Sequence, residues 1–314
     1  MKTTSIDDII DFLKVSYPRS EGILIGCWTT VDFDSYDCCE YDILVLESDN
    51  ENTADFKNKR YQLIQFHKKK LEISLYKNEN FILNQNILFQ DYVHLTNSFF
   101  TDNSYSYFEK KKSYVKTQLK ILCKRKLLQL ALFNTQINKQ VLNKDKFNQN
   151  LSLFNLRMIS IEVLELIIQL FENKIPSPSH LKYQINLVKE MNPKLKENID
   201  LVLDLIEIDR SNISTITRSE KSLFFFMKNI KSNYMQLELL TAKLDFFKSK
   251  SMYVDGNLLI HSFIKNNYFN NDYIQKYNKL LNHVLDIPYK DELKLFKELE
   301  LLFNIIKNLI RNSY

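Results

Sequence analysis

The pattern of apolar and polar positions divides the chain into a strand-bearing first third and a helical remainder. Ser5 precedes Ile6, Ile9, Ile10 and Leu13, with Asp8 three residues on, which predicts a capped amphipathic helix of about two turns. Pro18 and Gly22 close it and launch an apolar run, Gly22–Ile25, that ends on Gly26-Cys27. A polar loop follows, and Glu40-Tyr41-Asp42 then runs into Ile43-Leu44-Val45-Leu46. Short apolar runs bounded by turn residues read as buried strands, so the second strand is expected over Tyr41–Glu47. Thr53–Phe66 carries Phe56, Leu63 and Ile64 among charges and reads as a crossover helix. Leu71–Tyr76 alternates Leu71, Ile73 and Leu75 with Glu72, Ser74 and Tyr76, which predicts a third strand with Glu72 on its polar face.

Past residue 79 the strand signal fades. Phe81–Phe100 reads as helix and connecting loop. A long helix is expected from near Phe108 past Leu132, and further helices at Leu151–Phe171, Ser179–Met191, Lys196–Ile208, Thr217–Lys248 and Asp291–Ile310. Pro176, Pro178, Pro193 and Pro288 lie close to their ends. Thr217 with Glu220 fits a capping box. The expected fold is an N-terminal α/β or α+β domain with a small mixed sheet over residues 1–108, then an all-α domain over 109–314.

The chemistry concentrates at the second and third strands. Positions two apart on a strand face one side, so Glu40 and Asp42 project together. Such paired carboxylates repel unless protonated or bridged by a cation, and their hard oxygens suit Mg²⁺. The rival pair Asp32-Phe33-Asp34 lies in the loop with no apolar run after it, and reads as solvated.

An apolar strand ending in a glycine turn, then an acid-x-acid pair on the next strand and a third acid on a later one, resembles the nucleotidyltransferase superfamily of polymerase-beta-like and aminoglycoside-modifying enzymes. Here Gly26-Cys27 stands at the Gly-Ser turn, Glu40-x-Asp42 at the acidic pair and Glu72 at the third carboxylate. Thr29, Thr30 and Val31 occupy positions where that family often has small residues, Arg and Gly. The resemblance covers about the first third of the chain. It implies Mg²⁺ or Mn²⁺ held by Glu40, Asp42 and Glu72, an NTP (ATP the default) whose phosphates meet the Gly26-Cys27 turn, and transfer of a nucleoside monophosphate to a hydroxyl. A small molecule, a protein or an RNA end can be that acceptor. The alternative is a related module that binds nucleotide or protein without turnover, and a third reading is a helical interaction protein.

Composition sharpens this picture at a few points. Only 3 glycines in 314 residues exclude a dinucleotide fingerprint and a P-loop, each of which needs several in one loop. The 4 cysteines show neither a CxxC nor zinc-like spacing. Met1–Ser5 carries no signal-peptide pattern and no apolar run nears the ~18 residues of a membrane span, so a reduced, cytoplasmic protein is expected. The net charge of +5 speaks to solubility and steering rather than to fold. Lys112, Lys116, Lys120 and Lys124 form a stripe that reads first as a solvated helix face opposite Val115, Leu119 and Leu122. Its other reading is a flank for the triphosphate or for an anionic acceptor. His180 near a helix start reads as structural, and assembly as a homodimer or with a helical partner stays open.

Overall fold

The computed structural model describes residues 5–18, 20–25, 38–47, 61–77, 93–94, 107–143, 148–174, 176–230, 234–269 and 273–312. The chain divides into two compact units, Met1–Leu119 with Asn173–Ser177, and Lys120–Glu172 with Pro178–Tyr314.

The first unit is built on helix α1 (Ile6–Ser16) and a five-stranded mixed sheet. The strands are β1 (Ser20–Ile25), β2 (Tyr41–Glu47), β3 (Tyr61–Phe66), β4 (Lys69–Lys77) and the two-residue β5 (Val93–His94). Their order is β3-β4-β2-β1-β5. Among the described strands only the β2–β4 pair is parallel; β1 pairs antiparallel with β2 and β5, and β3 with β4. Ser5 caps α1 as expected: its hydroxyl accepts from the Asp8 N–H at 3.1 Å, and Asp8 accepts from the Ser5 N–H at 2.9 Å. Ile9 and Leu13 bury the apolar stripe of α1 against Leu24, Tyr41, Ile43, Leu71 and Ile73. The Tyr17 hydroxyl donates to Gln62 at 2.9 Å, and Phe12 meets Phe66 at 5.4 Å, tying β3 to the same layer. Leu44, Leu46 and Ile23, on the opposite face of the sheet, are buried as well.

Residues 61–66 form a strand, not the end of a crossover helix. Phe66 pairs with Lys69, so β3 and β4 are a hairpin closed by His67-Lys68, and β4 begins two residues before the predicted strand. His67 takes the left-handed conformation (φ 52°) that a glycine would normally supply. The Gln65 amide donates to the His67 and Lys69 carbonyls at 2.9 and 3.3 Å, which holds the turn. The 53–60 part of that prediction lies outside the described residues, as does Phe81–Phe100 apart from β5.

From Tyr107 onward the described residues are mainly helical: α2 (Tyr107–Asn143), α3 (Gln149–Phe171), α4 (Leu181–Met191), α5 (Lys196–Ile206), α6 (Ile213–Asn229), α7 (Tyr234–Ser249), α8 (Tyr253–Tyr268), α9 (Tyr273–Val284) and α10 (Glu292–Asn312). In the second unit α3 is buried nearly all round and packs against α4, α5, α8, α9 and α10, the placement its continuous apolar sequence requires. Two expectations are corrected there. Thr217–Lys248 is two helices, α6 and α7, and the cap of α6 is Asn212 rather than Thr217. Asn212 and Thr215 form the capping box, at 3.0 and 2.9 Å, while the Thr217 hydroxyl donates back to Ile213 and Glu220 pairs with Lys248 at 2.9 Å. An Asn-x-x-Thr box satisfies the first-turn donors as well as Thr-x-x-Glu would, and it comes first in the chain. No helix among the described residues is long and apolar enough to cross a membrane.

Candidate metal centre

The register of β2 and β4 builds the site. Asp42 and Glu72 are direct partners in the parallel ladder, so their side chains rise side by side from adjacent strands. Glu40 precedes β2 by one residue and reaches the same face, while Tyr41 between them turns into the α1 core. One carboxylate oxygen from each of Glu40, Asp42 and Glu72 lies within 4.8 Å of the other two. Glu40 is 2% exposed, and Asp42 and Glu72 are half-buried. Leu44 and Ile23, buried on this face, give the acids an apolar neighbour toward the middle of the sheet.

Ile25, the last residue of β1, pairs with Asp42, so β1 ends where β2 receives its acids. Gly26 and Cys27, assigned by sequence to the phosphate turn, follow Ile25 and lie outside the described residues, as do Asp32 and Asp34. Of the five residues assigned from sequence, the structure brings together Glu40, Asp42 and Glu72.

Tyr61 is a neighbour that the sequence reading does not supply. It opens β3 opposite Ser74, on the face that carries Glu72. Burial, and then the charges of Glu72, Glu40 and Asp42, hold its phenol well above the ordinary tyrosine range, so it stays protonated beside the acids. Reading 61–66 as helix hides this residue. The Gln62, Ile64, Phe66 alternation, taken as β, would have revealed it.

The donor set is chemically uniform. Three carboxylates provide only hard anionic oxygens, which suit Mg²⁺ or Mn²⁺ and not a thiolate-seeking metal. Crowded within 4.8 Å and shielded in part from water, they repel one another, and a divalent cation relieves that repulsion. The residues therefore fit the ion. No disulfide joins Cys38, Cys39 or Cys123, and burial pushes the Cys123 thiol up to about 12. His180 is buried at the start of α4. Of the lysine stripe, Lys120 is exposed and Lys124 half-buried; the side chains of Lys112 and Lys116 lie outside the described residues. The core face of α2 is carried by Leu119, Cys123, Leu127 and Leu130, with Leu122 only half-buried.

Compared with protein-family models, with curated proteins and with solved structures, the chain matches none.

Proposed function

We propose that the chain is a divalent-cation-dependent nucleotidyltransferase that moves a nucleoside monophosphate from an NTP, ATP first among them, to a hydroxyl acceptor. The observation that carries this reading is the convergence of Glu40, Asp42 and Glu72 from two adjacent strands to within 4.8 Å. Glu40, Asp42 and Glu72 would together hold the cation. When bound, Mg²⁺ or Mn²⁺ supplies charge neutralisation at the triphosphate and polarises the reacting oxygens. Backbone N–H groups at Gly26-Cys27 are assigned to the phosphates, since a turn without a side chain admits close approach.

The acceptor oxygen attacks the α-phosphorus, pyrophosphate leaves, and Glu72 takes the acceptor's proton. Glu72 suits this role because it lies beside Asp42 and is half-buried rather than sealed. Tyr61, held protonated, lies beside the acids.

Incubation with α-labelled NTP and Mg²⁺ or Mn²⁺, against small-molecule, protein and RNA acceptors, tests the reading. Label transfer that disappears in Asp42→Asn supports it. Cation-dependent NTP binding without transfer to any acceptor replaces it with the binding-module reading. No cation-dependent NTP binding at all removes both.

A further inference from the structure

Helix α2 has a second stripe, directly opposite its buried one. Leu119, Cys123, Leu130 and Ile137 face the core. Half a turn away, Ile121 is 52% exposed, Leu128 52%, Leu132 67% and Leu142 61%. Single exposed aliphatics are ordinary on a protein surface. These four are not scattered. With Arg125, Thr135 and Lys139 between them they occupy positions separated alternately by four and three residues, which is the 3.5-residue repeat of a coiled-coil seam. The seam runs from Ile121 to Leu142, about 33 Å at the helical rise. Thr135 does not interrupt it, because its hydroxyl is spent on the Ala131 carbonyl at 2.8 Å and its methyl remains for packing. Arg125 and Lys139 are exposed and have no ion-pair partner among the described residues.

The two cations decide what can lie there. A parallel second copy sets Arg125 against Arg125 and Lys139 against Lys139. An antiparallel copy centred on Leu132 sets Arg125 against Lys139. In both of these full-overlap registers like charges meet inside an apolar seam, which is costly and selects against that pairing. Lys120 and Lys124 add to the same sign at the N-terminal end.

We propose that this face of α2 is the docking surface for an amphipathic helix of another protein, one with apolar residues at heptad spacing and Glu or Asp at the positions that meet Arg125 and Lys139. The apolar positions supply the contact area, and the two ion pairs set its register and exclude a second copy. The inference does not depend on the chemistry of the acidic site.

Two synthetic four-heptad helices with Leu at the seam test it against the full chain: one with Glu opposite Arg125 and Lys139, the other with Lys there. Fluorescence anisotropy should show the Glu helix binding at least tenfold more tightly than the Lys helix, with affinity falling as salt rises. Leu128→Asn with Leu132→Asn should weaken it by a further tenfold or more. Those side chains are exposed, so circular dichroism and the thermal midpoint should hold, and the charge swap Arg125→Glu with Lys139→Glu should reverse the preference to the Lys helix. Equal binding of both helices, binding of neither, or no reversal in the swapped chain overturns the proposal. So does a dimer in sedimentation velocity that Leu132→Asn dissolves, which would make the occupant a second copy.

Discussion

Asp42 and Glu72 face each other across the parallel β2–β4 ladder. That register converts two residues thirty apart in the chain into neighbours, and Glu40 joins them from the strand mouth. A single-residue slip would send Glu72 to the opposite face, against Ile9 and Leu13 of α1. The apolar alternation of Leu71, Ile73 and Leu75 is what forbids the slip, so the core of the first unit also fixes the geometry of the acids.

Asp42→Asn removes one of three mutually repelling carboxylates without changing volume. The cation-free protein should melt at the same temperature or slightly higher, while the added stability conferred by Mg²⁺ with ATP disappears. Differential scanning fluorimetry with and without Mg²⁺-ATP reads both effects. An unchanged ligand-induced shift in the variant contradicts the assignment.

Strands β1, β2 and β4 were legible in the sequence because their apolar runs or alternation match a two-residue period. The same reading placed Asp42 and Glu72 on the two strands that bring them together and Glu40 at the mouth of the first. β3 was hidden because its hairpin turn uses His67 in a left-handed conformation rather than Gly or Asn, so no turn signal marks where residues 61–66 end and β4 begins. Helices α8 and α9 escaped for a different reason. Asp255, His261, Ser262, Lys265, Asn278 and Asn282 are buried, and they break the apolar period on faces that are in fact internal. Their partners are distant in the chain: Lys265 meets Glu162 and Glu165 of α3, and Asn282 donates to the Asn150 carbonyl at 2.9 Å. Periodicity cannot register a polar residue that is buried because something remote satisfies it.

Lys265 makes that point energetically. Its ammonium lies 2.8 Å from Glu162 and also contacts Glu165, all three groups being largely withdrawn from water. Burial raises the Glu165 carboxyl, and the Lys265 charge keeps the Glu162 carboxyl low. Lys265→Met should destabilise the protein by about 3–5 kcal/mol, since it removes the cation from the buried Glu165 and leaves Glu162 with Lys126 alone, 3.6 Å away. Adding Glu162→Gln and Glu165→Gln should recover much of the loss. Urea denaturation of the single and triple variants measures this, and a single variant within 1 kcal/mol of the parent would contradict it.

His261 should make the second unit acid-sensitive. Its Nδ1 lies 2.9 Å from the Asn257 carbonyl, and burial, followed by the nearby Arg157 charge, lowers its pKa from 6.5 to about 3. Between those values the unfolded chain binds a proton that the folded chain refuses. Stability is therefore full above about pH 6.5 and falls as pH drops toward 3, by up to about 1.4 kcal/mol per unit from this group alone. Chemical denaturation as a function of pH should show a shallower slope over this window in His261→Gln. An identical slope in both proteins counts against the assignment.

Gly256 lies in α8, and a Cβ built there would sit 3.5 Å from the Ile216 Cδ1 and 3.7 Å from the Phe247 Cβ, ordinary contact distances. No close approach requires glycine at this helical position. Gly256→Ala should stabilise the protein by about 0.5–1 kcal/mol, through helix propensity and a less flexible unfolded chain. A lowered thermal midpoint would show that the site is tighter than these distances allow.

The central claim, that Glu40, Asp42 and Glu72 together hold a cation for nucleotide chemistry, is tested most directly by equilibrium dialysis of Mn²⁺ with a non-hydrolysable ATP analogue, bound Mn²⁺ being counted by electron paramagnetic resonance. The full chain should retain Mn²⁺ and nucleotide together, and the Asp42→Asn, Glu72→Gln double variant should lose both while keeping the parent's circular dichroism spectrum. Equal retention by parent and folded variant, or no retention by the parent, would contradict the account.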